Sequence, residues 1–177
     1  MKKKTLALVL ALTLLVAGVV GGTLAWLTDQ TAEVKNTFTV GDINIGLTET
    51  TADYKMVPGN TIAKDPTVTV KANSEACWLF VKVTESTDLK DFITYAIAEG
   101  WTALPGVDGV YYREVPASAA DQTFSVLAGD AVTVKSDVTR TMLETAKTDA
   151  PTLTFKAYAI QRDHFATADA AWAEVSK

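Results

Sequence analysis

Apolar and polar positions along the chain fall into two regimes. Thr5 to Val20 is a nearly uninterrupted apolar run behind the basic start Met1-Lys2-Lys3-Lys4. Beyond it, the spacing changes to an alternation with period two, the signature of half-buried strands. Leu27 to Glu33 is polar. Val34, Phe38 and Val40 then share one face, while Lys35, Thr37 and Thr39 share the other. After a turn at Gly41-Asp42, Ile43, Ile45 and Leu47 alternate with Asn44, Gly46 and Thr48, and a strand is expected there.

The same alternation recurs to the end of the chain. Thr67 to Val70 places threonine out and valine in, and the turn Ala72 to Glu75 separates it from Cys77 to Val83. That run is apolar on both faces before it turns polar at Lys82, so a central strand with a partly covered second face is expected. Asp88 to Ala98 is read as a single helical turn around Leu89 to Phe92, with Asp88 as a possible cap, followed by a strand from Ile93. Asp108-Gly109 is a hairpin signal, and Ile93 to Val115 reads as a three-stranded meander. Gln122 to Leu127 and Ala131 to Lys135 are expected as strands around Gly129-Asp130, and a short helix is expected within Val138 to Lys147. Thr152 to Gln161 is the longest alternating run and is expected to be central. Thr167 would cap a terminal helix whose Trp172 packs back on the domain.

Many short strands with frequent turns predict an all-β fold, a β-sandwich of jelly-roll or immunoglobulin-like type with minor short helices. No internal repeat is present, and residues 26–177 read as one domain. The apolar run reads as a signal peptide over residues 1–25, with small residues Thr23 and Ala25 at −3 and −1 and Trp26 as the first mature residue. An uncleaved membrane anchor is the competing reading, because Thr5 to Ala25 is 21 residues long. On the signal-peptide reading, membrane contact precedes cleavage only, and the mature protein is secreted to the extracellular matrix or cell surface.

Charge and cysteine usage narrow the function. Removing the signal peptide leaves 13 basic against 21 acidic residues, moving the net charge from −5 to −8. An acidic chain without basic clusters argues against nucleic acid as a partner. Cys77 is the only cysteine, so no intramolecular disulfide exists, and its apolar neighbours make it a core residue.

No catalytic residues or cofactor sites emerge. His164 is the only histidine, too little for a zinc hydrolase, and no nucleophile elbow supports a triad with Ser125 or Ser136. Carboxylates gather as Asp42, Glu49 and Asp53, as Asp88 and Asp91, and as Glu144 and Asp149, without the fixed spacing of a calcium loop.

The order of short motifs resembles the TasA/camelysin family of Gram-positive bacteria. Gly21-Gly22-Thr23-Leu24-Ala25-Trp26-Leu27-Thr28-Asp29 is similar to its processing region, and Asn36 to Ile45 to its Asn-Thr-Phe-x-x-Gly-x-Leu-x-Leu pattern. Val57-Pro58-Gly59-Asn60, Lys64-Asp65-Pro66-Thr67-Val68 and Lys156 to Gln161 extend the resemblance over most of the chain. It implies a jelly-roll domain, export through a SipW-type signal peptidase, and self-assembly into biofilm-matrix fibres. An accessory fibre protein or the cell wall would be further partners. It also implies donor-strand exchange, for which Leu27 to Val40, with Val34, Phe38 and Val40 pointing inward, is the candidate donor. The metallopeptidase label of camelysin-like members does not carry over, because zinc ligands are absent. A second class of function is a monomeric adhesin or binding module presenting Trp78, Trp101, Tyr111 or Tyr112 on a sheet face.

Overall fold

A computed structural model describes residues 42–50 and 55–177, all within one compact unit, 40–177. The processing residues Thr23, Ala25 and Trp26 and the candidate donor residues Val34, Phe38 and Val40 lie outside the described residues. The described chain is mostly antiparallel β-structure with a few short helices. Its strands are β1 (Ile45–Thr48), β2 (Thr61–Ala63), β3 (Thr67–Val70), β4 (Cys77–Glu85) and β5 (Ile93–Thr94). They continue with β6 (Thr102–Ala103), β7 (Val110–Val115), β8 (Gln122–Ser125), β9 (Ala131–Val134) and β10 (Leu153–Gln161). The helices are α1 (Leu89–Phe92), α2 (Arg140–Ala146) and α3 (Ala168–Val175).

Three sheets result, in the orders β1-β3-β8, β10-β4-β7-β6 and β2-β9-β5. Alternation decides what each strand buries. Val68 and Val70 of β3 are buried while Thr67 and Thr69 are half-exposed, as the period of two requires. They meet Cys77, Leu79, Val81 and Val83 of β4 in the main core. A second core joins α1, Ile93, Val132, Val134 and α2. Burying each such valine, leucine or phenylalanine contributes about 1.5–3 kcal/mol.

The outer face of β4 explains why that strand is apolar on both sides. Trp78 and Phe80 are buried there beneath α3, whose Trp172 ring lies 5.3 Å from Phe80 and 5.2 Å from Tyr158. Thr167 caps α3 as expected, accepting a hydrogen bond from the Ala170 amide at 3.3 Å. Thr139 caps α2 in the same way through Met142. Asp88 occupies the cap position of α1, but its carboxylate accepts the Ser86 hydroxyl instead of a helix amide.

Two expectations about pairing fail. The stretch Ile93 to Val115 is not one meander: β5 pairs with β9, whereas β6 pairs with β7 in another sheet. The strands expected around Gly129-Asp130 are present as β8 and β9, and they join different sheets, β8 pairing with β3 and β9 with β2 and β5. Leu127 falls between sheets and bridges to Ile97. Finally, β10 is not central among the described residues; it lies at the edge of its sheet there. Periodicity reports which faces are apolar, not which strand lies alongside, and both β4 and β10 are nine residues long.

Candidate functional site

β10 pairs with β4 over its full length, from Leu153 opposite Glu85 to Gln161 opposite Cys77. Among the described residues, no strand pairs with its other side. Burial reflects this position. Six of the nine residues of β4 are buried, and none of β10 is. Leu153, Phe155, Ala157 and Ala159 pack toward the main core but remain half-buried.

Two clefts adjoin the first half of β10. A smaller one, of about 290 Å³, is lined by Leu47, Pro66, Leu153 and Phe155 together with Glu49. A larger one, of about 450 Å³, is lined by Met56, Ile62, Val132 and Leu153 together with Lys64. Lys64 Nζ and Glu49 Oε1 lie 2.7 Å apart, so one ion pair links the walls of the two clefts. The lysine is only 7% exposed and also lies 5.5 Å from the centre of the Phe155 ring on β10. A buried lysine was not legible in the sequence, where Lys64 sits in a polar Lys-Asp turn before proline.

The adjoining residue continues this border. The ladder between β1 and β3 ends at Thr48 opposite Thr67, and the residue just before β3, Pro66, has no amide hydrogen with which to continue it. Asp65 takes over with its side chain. Its Oδ1 accepts the Thr50 amide at 3.0 Å and its Oδ2 accepts the Thr50 hydroxyl. These bonds hold the Asp65 carboxyl below the usual carboxylate range.

The residues considered for chemistry are dispersed. His164 is exposed at the turn after β10, while Ser125 ends β8 in another sheet and Ser136 follows β9. Glu49 pairs with Lys64, Asp88 with Ser86, and Glu144 with Lys147. Asp53 lies outside the described residues, and no three metal-ligating side chains gather among the described ones. No helix among them is long and apolar enough to cross a membrane.

Of the four aromatic residues considered for a binding face, two are buried and two half-buried. Trp78 and Trp101 are buried, and their indole N–H groups donate to the carbonyls of Phe165 and Ser125 at 3.1 and 2.9 Å. Tyr112 packs edge-on against Trp78, with ring centres 5.8 Å apart. Tyr111 is half-buried on the opposite face of β7. Cys77 is buried and reduced, the core role its neighbours suggested, and burial pushes its thiol up to about 11. Arg113 on β7 is held over the Phe124 ring at 3.9 Å and the Trp101 ring at 5.4 Å. No protein-family model, curated protein or solved structure matches the chain.

Proposed function

We propose that this chain is a secreted structural subunit of extracellular, biofilm-matrix fibres, built on a jelly-roll-like sandwich. The 27–40 segment of one copy would complete the sheet of the next by pairing with β10. The observation that carries this reading is the nine-residue β10 edge, bordered by two clefts of mixed apolar and polar lining and open among the described residues. An edge strand of that length is a template for another chain, and proteins generally cover or blunt such edges.

The donor has the required dimensions. Fourteen extended residues reach about 46 Å, against about 30 Å for the nine of β10. Main-chain hydrogen bonds would supply affinity, while Val34, Phe38 and Val40 would supply side chains for the clefts. Donation from one copy to the next does not close on itself, so the product is a filament rather than a dimer. Processing by a SipW-type signal peptidase after Ala25 would free the donor, and membrane contact would end there. The reading involves no catalytic step.

Electron microscopy of the secreted protein at rising concentration, together with sequencing of its amino terminus, tests this. A start at Trp26 or Leu27 with concentration-dependent filaments is the expected result. Filaments should be lost on deleting residues 27–40 and should tolerate high salt, because backbone pairing and apolar contact are weakly screened. A cleaved protein that stays monomeric at every concentration would overturn self-assembly, and unchanged filaments from the deletion would overturn the donor.

A further inference from the structure

A separate cleft of about 400 Å³ opens where the β10-β4-β7-β6 and β2-β9-β5 sheets meet, and no residue of β10 lines it. Each wall comes from a different element. Glu85 ends β4, Lys90 lies on α1, Thr94 ends β5, Tyr95 follows it, Tyr111 lies on β7, and Lys135 follows β9. Its size falls within the range of small-molecule sites, and its position between sheets is a common one for them.

The charges of this cleft run against those of the whole chain. The chain carries −5, yet the cleft's two lysines outnumber its one carboxylate. Neither Lys90 nor Lys135 joins an ion pair among the described residues. Glu85 is already engaged, because the Tyr95 hydroxyl donates to its Oε1. Burial, followed by that carboxylate, pushes the Tyr95 phenol far up, so it remains a donor committed to Glu85. Oε2 of Glu85 makes no hydrogen bond of its own among the described residues and is available as an acceptor. The Thr94 hydroxyl adds a second polar group, and Tyr111 adds an aromatic wall.

We propose that this cleft binds a hydroxylated carboxylate of sugar size, a uronic acid residue, with its carboxylate at Lys90 and Lys135. Two ammonium groups attract the anion, and charge-assisted hydrogen bonds fix it. Glu85 Oε2 and Thr94 accept and donate to ring hydroxyls. The half-buried Tyr111 gives the apolar face of the ring a surface to lie on. A simple anion would use only the lysines, and a neutral sugar only Glu85, Thr94 and Tyr111.

NMR titration of the isotope-labelled chain, as recovered from expressing cells, separates these cases with three probes: galacturonate, galactose and acetate. Galacturonate at millimolar concentration should give saturable amide shifts at Thr94, Tyr95 and Lys135, with galactose and acetate at least tenfold weaker. The double variant Lys90→Ala/Lys135→Ala should lose at least tenfold in galacturonate affinity while keeping its dispersed spectrum elsewhere. Absence of saturable shifts would overturn the proposal. Equal responses to acetate, meaning simple ion pairing, or unchanged binding by the double variant would overturn it too. The assembly clefts beside β10 include neither Lys90 nor Lys135, so the double variant tests this proposal apart from filament formation.

Discussion

Lys64 and Glu49 form a part-buried ion pair, 2.7 Å from nitrogen to oxygen, and the lysine lies against Phe155 at the border of the β10 edge. The pair fixes the segment leaving β1 to the segment entering β3. Its side chains are 9% and 26% exposed, so the lysine is the more strongly desolvated partner. Breaking such a pair from one side costs more than the pair contributes, because a charge is left behind.

Lys64→Ala should therefore lower unfolding stability by about 1–3 kcal/mol, between the values for exposed and buried pairs, since Glu49 retains contact with water. Lys64→Met keeps the aliphatic stem against Phe155 and should lose less. Urea denaturation with an unchanged slope checks both. Equal stability of Lys64→Ala and wild type would show that the pair carries no net weight.

Stability should fall in acid through Asp65 and Asp121. Hydrogen bonds from Thr50 lower the pKa of Asp65, while the Ala72 amide and the Lys71 ammonium lower that of Asp121. A lowered folded-state pKa means that the unfolded chain takes up protons first as pH drops. The contribution is thus complete above the unfolded value of about 4 and is lost as pH falls through the lower folded values. Asp65→Asn and Asp121→Asn should each flatten the acid limb of a melting-temperature profile, with their largest difference from wild type at neutral pH. An acid limb of unchanged slope in both variants would contradict this.

Gly109 and Gly106 make a matched pair. Both have positive φ, 71° and 73°. A methyl group at 109 would stand 2.4 Å from the Val83 carbonyl oxygen, whereas one at 106 meets nothing within 4 Å. The close approach at 109 exists because the Val83 amide donates to the Gly109 carbonyl at 2.7 Å. Gly106→Ala should cost about 1–2 kcal/mol, the penalty of the left-handed backbone alone. Gly109→Ala should cost clearly more, because backbone must move. Paired thermal melts decide this, and equal losses would place the constraint in φ only.

Cys77 should resist thiol reagents in the folded protein. It is fully buried, and its thiol is pushed up to about 11. Between about pH 8.5 and that value, the unfolded chain loses its proton while the folded chain keeps it, so this group makes stability fall as pH rises. Labelling with a chromogenic disulfide should follow the unfolding rate, not the thiolate concentration of an exposed cysteine. Rapid labelling under native conditions would place the thiol at the surface.

Much of the architecture was legible because it follows from local chemistry. The alternation in Thr67 to Val70, the double-sided apolar run from Cys77, the threonine cap at 167 and the inward Trp172 each reflect rules that act over a few residues. Long-range pairing was not legible. Ile93 and Thr94 alternate equally well whether they join β7 or β9, so the expected meander dissolved into two sheets. The clefts were hidden for the same reason. Glu85, Tyr95, Tyr111 and Lys135 come from separate elements, and nothing in their spacing marks them as neighbours.

The amino-acid order by itself determined the all-β class, the turns, the caps and which side chains seek the core. These depend on backbone preferences and on periodicity. Tertiary structure alone decided that β10, with the same length as β4, lies at a sheet edge among the described residues, that Lys64 is buried beside it, and that two lysines and Glu85 line one cleft. Each of those outcomes depends on which distant strand a segment meets. The deciding energies are the pairing and packing of residues far apart in the chain.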